Sequence, residues 1–121
     1  MVYASSSIAL ACLETVVHLG ATLPFNRYLV RIEVPDDAWS SAIRLDPDAR
    51  VGWDALPEGK VSLDAGEAWA TSRHSVLLIV PSVIVPEEDN VLINPAHADT
   101  ASIQARKMRR WTYDTRLLSR L

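Results

Sequence analysis

Apolar residues recur at helical spacing early in the chain. Leu10, Leu13 and Val17 follow the i, i+3, i+7 rule, and Ile8, Ala9 and Val16 widen the stripe. The pattern predicts a helix over 7–18, largely buried because it is apolar around most of its circumference. Ser7, Ala11, Glu14 and His18 form its one narrow polar stripe. Ser5-Ser6-Ser7 offer hydroxyls to the free N–H groups of its first turn, and Gly20 suits the position just past its end. Ahead of it, Met1-Val2-Tyr3-Ala4 reads as the last residues of a strand. Strict alternation takes over at 28–34, with Val30, Ile32 and Val34 on one face and Leu29, Arg31 and Glu33 on the other. That is a half-buried strand, and Pro35 ends it.

Prolines, glycines and Asp-Pro steps break up 36–60, which reads as a long irregular connection with short elements packed on Trp39 and Trp53. A short helix follows over 62–71, with Ala65, Ala68 and Trp69 directed inward. The continuous apolar run at 75–80 marks a strand covered on both faces. Pro81 interrupts it, 83–85 extends it and Pro86 stops it. A short strand at 91–94 has an asparagine at each side, 98–107 reads as a last helix and 111–113 as a last strand. Helices and strands mix without βαβ regularity. The expectation is one α+β domain over 1–121, with a mixed or antiparallel sheet core and flanking helices.

Composition narrows the classes. Hydrophobic residues make up 49% and charged residues 22%, enough for a real core. A net charge of −3 argues against a dedicated nucleic-acid binder, so no direct nucleic-acid binding is expected. Cys12 is alone, which removes any internal disulfide and suits a reducing compartment. The N-terminal stretch lacks a basic start and carries Glu14 and His18, and the longest apolar run is far short of a membrane span. The expected location is cytoplasmic, without a membrane partner.

The chemistry emerges by elimination. There is no P-loop, no Gly-x-Gly-x-x-Gly and no Gly-x-Ser-x-Gly elbow. Glu14 and His18 share a helical face, but Cys12 points elsewhere and His74 and His97 stand apart, so no metal is expected. From 106 onward six cations face the single acid Asp114, a tail of +5 against −8 for the rest. With Trp111 and Tyr113 interleaved it suits a phosphate backbone or an acidic partner, although a solvated helix end is the commoner meaning. Glu14 stands out more. A carboxylate on a nearly all-apolar helix needs either a partner, such as His18 or water, or a purpose. Tyr3 on its own reads as an edge-of-core aromatic, and Ser82 as a bulge residue at a strand break.

Taken in order, these segments resemble a known family. Tyr3-Ala4-Ser5 followed by Leu10-Ala11-Cys12-Leu13-Glu14 resembles the opening motif of the RES-domain family, the toxin half of bacterial toxin–antitoxin pairs. Trp53-Asp54-Ala55-Leu56-Pro57 is similar to its turn motif, and Gly66-Glu67-Ala68-Trp69 to its Gly-x-x-Trp. Val80-Pro81-Ser82 matches the Val-Pro-Ser run. Asn90 through Asn94-Pro95-Ala96-His97 and Tyr113-Asp114-x-Arg116-Leu117 complete the series.

The resemblance implies an ADP-ribosyltransferase-like fold and NAD as substrate, consumed by hydrolysis, phosphorolysis or ADP-ribosyl transfer to a protein. Its family residues are an arginine, a glutamate and a serine. The glutamate falls on Glu14 as the catalytic residue and the serine on Ser82 as substrate-binding, with Tyr3 serving both roles beside the glutamate. The arginine belongs to a segment ahead of the tyrosine, so the chain is expected to be N-terminally truncated relative to the family; neither Arg27 nor Arg31 matches it. The implied partner is a helix-turn-helix antitoxin, in a complex that allows a toxin homodimer. Two expectations follow: an enzyme that cleaves the nicotinamide–ribose bond, or an inactive truncated domain that only binds its antitoxin. In the first, the carboxylate would stabilise an oxocarbenium-like transition state, the aromatic would pack on the cationic nicotinamide ring, and the serine would donate to the pyrophosphate or ribose.

Overall fold

The apolar run predicted as a doubly covered strand is β4 (Leu77–Pro81), and it lies inside the larger of two sheets. The computed structural model describes residues 1–19, 22–45 and 60–117. β4 pairs antiparallel with β5 (Asp89–Ile93) and parallel with the short β3 (Ile43–Arg44), while β1 (Val2–Ser5) pairs antiparallel on the far side of β5. The order β1-β5-β4-β3 puts the most apolar strand between two neighbours, so its backbone is satisfied without water. Leu77 and Ile79 are almost completely buried, and so is Leu78 on the opposite face.

Register assigns the faces. Ala4, Val91, Ile93, Leu77 and Ile79 share one side of the sheet. A core grows there around Leu77, Val91 and Ile93, with Ala38 of α2 (Asp36–Ser40) and Ile32 packed against it. Tyr3, Ser5, Asn90, Leu92 and Leu78 share the other side. The helix α1 (Ile8–Leu19) buries Leu10 and Val16. Ile8 and Val17 are 55% and 49% exposed, so the helix is not largely buried as its pattern suggested. Among the described residues it is covered along one stripe, and apolar positions outside that stripe face outward.

The second sheet is a ribbon of β2 (Arg27–Glu33) with β6 (Gln104–Trp111), antiparallel, with a register shift between Leu29 and Val30. The helix expected over 98–107 is therefore a correction. Only Ala98–Ser102 turns, as a single 3-10 element. The His97 ring accepts from Asp99 N–H at 3.0 Å and the Thr100 hydroxyl donates to the Asn94 carbonyl at 2.6 Å, which closes that turn locally. The chain is extended at Ile103, and β6 supplies the backbone partner that β2 requires along its whole length.

The helix α3 (Lys60–Ser72) encloses the expected 62–71. Its Trp69 is buried and donates from Nε1 to Ser75 Oγ at 2.8 Å, while Ala68 is exposed rather than inward. Trp69→Phe removes that bond from a buried pair and should lower unfolding free energy by about 1–3 kcal/mol, measurable by urea denaturation. Gly20, Trp53, the 53–57 motif, the side chain of Ala65 and Arg120 lie outside the described residues. No helix among the described residues is long and apolar enough to cross a membrane.

Candidate active site

Two elements meet at the open ends of β4 and β5. Ser7 begins α1: its Oγ accepts from Leu10 N–H at 3.1 Å and donates to Glu88 Oε1 at 2.8 Å. Ser6 N–H also donates to the Asp89 carbonyl at 3.0 Å, so the start of α1 is tied to the β4–β5 connection. Two turns on, along the polar stripe, Glu14 reaches that same connection.

The connection is built around Ser82. Pro81 has no N–H to continue a ladder, and the next residue turns out of the strand. Ser82 N–H donates to the Glu88 carbonyl at 2.8 Å, and Ser82 Oγ accepts from Ile84 N–H and Val85 N–H, each at 3.1 Å. Residues 83–85 are thus a turn held by a serine hydroxyl, which corrects the expectation that they extend the strand. Ser82 is 0% exposed.

Its hydroxyl hydrogen goes to Glu14 Oε1 at 2.7 Å. The same oxygen accepts from Asn90 Nδ2 at 2.9 Å. Asn90 Oδ1 in turn accepts from Ser5 Oγ at 2.7 Å. The Glu14 side chain is 19% exposed, enough to meet a ligand and too little to be a free surface carboxylate. His18 Nδ1 lies 2.9 Å from the Glu14 backbone carbonyl and 4.0 Å from Oε2. The partners of the carboxylate are therefore Ser82 of the β4–β5 connection and Asn90 of β5, with histidine at the margin.

Tyr3 lies on β1 opposite Leu92, two residues before Ser5 and on its face of the sheet. The residue is 71% exposed. The structure brings Glu14 and Ser82 into direct contact, and places Tyr3 on the strand that also carries Ser5. Sequence reasoning missed Asn90 and Ser5 as parts of this group. The asparagine flanking the 91–94 strand was visible, but Asn94 on the other side looks identical in sequence. Asn94 is buried and bonds only backbone, accepting from Ala96 N–H and donating to the Ala70 carbonyl.

Other candidates fall elsewhere. Burial pushes the Cys12 thiol up, away from the reactive thiolate. Among the described residues no three His, Cys, Asp or Glu side chains gather as a metal site would require. Four of the six tail cations, Arg106, Lys107, Arg109 and Arg110, lie on β6 rather than on a helix; Lys107 stands over the Tyr28 ring at 4.0 Å and Arg109 over Trp111 at 4.7 Å. Arg116 bonds Asp114 at 2.7 Å, and that pairing holds the Asp114 carboxyl down at about 2. An open hollow of about 500 Å³ is lined by Phe25, Arg110, Trp111 and Tyr113 among others, and includes neither Glu14 nor Ser82.

Known proteins are similar to this chain in sequence. A family model described as the RES domain matches residues 1–116. A Prs ADP-ribosylating toxin of Sphingobium sp. is 60% identical over 120 residues, covering 98% of this chain and 74% of the relative. A Toxin Res of Yersinia enterocolitica is 38% identical over 98 residues, covering 79% of this chain and 62% of the relative. A Toxin Res of Pseudomonas putida is 36% identical over 122 residues, covering 97% and 79%.

Proposed function

This chain belongs to the RES domain family, and we propose that it is the toxin of a toxin–antitoxin pair, an enzyme that consumes NAD. The observation that carries the reading is the Glu14 carboxylate, mostly buried yet open to a ligand, with two donors fixed on one of its oxygens. Such preorganisation suits charge that develops during a reaction.

In the proposed step the bond between ribose C1′ and the nicotinamide nitrogen breaks. The bonding pair leaves with nicotinamide, which becomes neutral, and positive charge spreads over C1′ and the ring oxygen of the ribose. Glu14 stabilises that cation. Water, phosphate or a protein side chain then bonds to C1′ and loses a proton to solvent or base. The name of the Sphingobium relative, an ADP-ribosylating toxin, favours transfer of the ADP-ribosyl group to an acceptor over simple hydrolysis. Ser82 donates its only hydroxyl hydrogen to Glu14, so we assign it to holding the carboxylate ahead of any bond to the pyrophosphate. No metal is required by this scheme. A helix-turn-helix antitoxin is the proposed inhibitor, covering the surface beside Glu14 and Tyr3, in a complex that allows a toxin dimer.

Tyr3 is assigned to the nicotinamide ring, which is cationic in NAD. A cation over an aromatic face gains about 0.5–2 kcal/mol. Tyr3→Ala should therefore raise KM for NAD by about 2- to 30-fold while Tyr3→Phe stays near wild type. The scheme is tested with NAD labelled in the adenylate half. Release of nicotinamide with the label in free ADP-ribose, in its phosphate ester or on protein identifies the acceptor. A folded chain that binds antitoxin and releases no nicotinamide would favour a binding-only role.

A further inference from the structure

We propose that Asn90, latched by Ser5, is a positioning residue that fixes Glu14 by its Oε1 and leaves Oε2 as the oxygen that acts. This rests on the reading that Glu14 acts on NAD. A carboxylate left to itself rotates about its last bond and presents either oxygen. Here the Ser82 hydroxyl and the Asn90 amide converge on Oε1, at 2.7 and 2.9 Å. Two donors on one oxygen set the plane of the group and its outward atom.

The asparagine has a direction that must be chosen. Its carboxamide has one donating and one accepting end, and the reverse orientation would point Oδ1 at the carboxylate. The Glu14 carboxylate, which can only accept, makes the choice by taking the NH₂ end, and register shows what the other end then meets. Asn90 sits on the middle strand of its row, between Ser5 on β1 and Val80 on β4. The Val80 side chain offers no polar atom, so the lateral partner is Ser5, and its hydroxyl donates to Oδ1 at 2.7 Å. That bond satisfies the amide end that the carboxylate cannot use and restrains the side chain from swinging away. The side chain of Asn94, just past the end of that strand, bonds only backbone, as a structural asparagine does, whereas both side-chain bonds of Asn90 run to side chains.

The latch also joins the two halves of the site. Ser5 lies on the strand of Tyr3, two residues on and on the same face. The strand that presents the ring therefore also holds the amide that aims the carboxylate. A shift of β1 by one residue would lose both at once.

The experiment uses the full chain with Ser5→Ala, Asn90→Ala, Asn90→Asp and the double alanine variant. Asn90→Ala should lower kcat by about 10- to 100-fold, the range for losing a hydrogen bond to a charged group, with KM for NAD changed by less than about twofold. Asn90→Asp keeps the shape and sets a second carboxylate against Glu14, so it should lose at least as much. Ser5→Ala should cost less, about 3- to 10-fold, and nothing further in the Asn90→Ala background, since the latch then has nothing to hold. Losses that multiply, or a change confined to KM, would overturn the proposal. A second readout needs no turnover: the two Asn90 side-chain amide protons should be resolved and slow to exchange by NMR, and both Ser5→Ala and Glu14→Ala, which removes the acceptor, should speed that exchange. Amide signals indifferent to both substitutions would also overturn it. If the wild-type chain releases no nicotinamide, the NAD reading fails and the amide spectrum alone decides the latch.

Discussion

Glu14→Gln should lower nicotinamide release from NAD by about a thousandfold or more, with little change in thermal unfolding. Removing one preorganised donor from a developing charge commonly costs about 10²- to 10³-fold, and here a full opposite charge is removed. Glutamine is nearly isosteric, and its carbonyl oxygen can still accept from Ser82 and Asn90 where Oε1 does now. The packing of α1 stays as it is, because Leu10 and Val16, not Glu14, are its buried residues. What changes is the outward atom, from a negative oxygen to an amide NH₂ facing the cationic ribose. A steady-state assay beside a melting curve separates the two effects. Rates within tenfold of wild type would remove Glu14 from the chemistry.

The second large effect belongs to Ser82→Ala. One oxygen there serves three groups: it donates to Glu14 and accepts from Ile84 N–H and Val85 N–H. Alanine leaves both N–H groups without that acceptor in a site 0% exposed at residue 82, and the turn that carries them loses its pin. Loss of a buried acceptor should cost about 1–3 kcal/mol of stability, read as a lower urea midpoint. The same variant should lose about 10²-fold in kcat, because the carboxylate is then held by Asn90 alone. KM separates two roles for the hydroxyl. A hydroxyl that holds Glu14 affects kcat; one that binds the pyrophosphate affects KM. A large rise in KM with kcat intact would return Ser82 to direct contact with substrate.

Much of this arrangement was legible in the residues, for identifiable reasons. The run at 75–80 has no polar side chain after Ser75, so it had to be covered on both faces, and β4 is. The alternation at 28–34 marked β2 because its period is that of a strand. Glu14 attracted notice since a charge on an apolar helix demands a partner. The partner itself was not legible: Ser82 and Asn90 are 68 and 76 residues away in sequence and meet Glu14 only through the sheet. The error over 98–107 has a related cause. Ala98, Ala101 and Ala105 favour a helix locally, but β2 lacked a partner, and pairing along its length decided the conformation of 104–111. The turn at 83–85 was misjudged because Val83, Ile84 and Val85 favour strands, while the Ser82 hydroxyl captures the N–H groups of Ile84 and Val85 instead. Tyr3 and Ser5 were each visible as residues, yet their common face follows only from the β1–β5 register.

The central claim is that this chain breaks the nicotinamide–ribose bond of NAD through Glu14. Its most direct test is the amount of free nicotinamide formed over time by the purified, folded chain, with Glu14→Gln in parallel. The account predicts steady release by the wild-type chain and none above background from the variant. No release from the folded wild-type chain, or equal release from both, would contradict it.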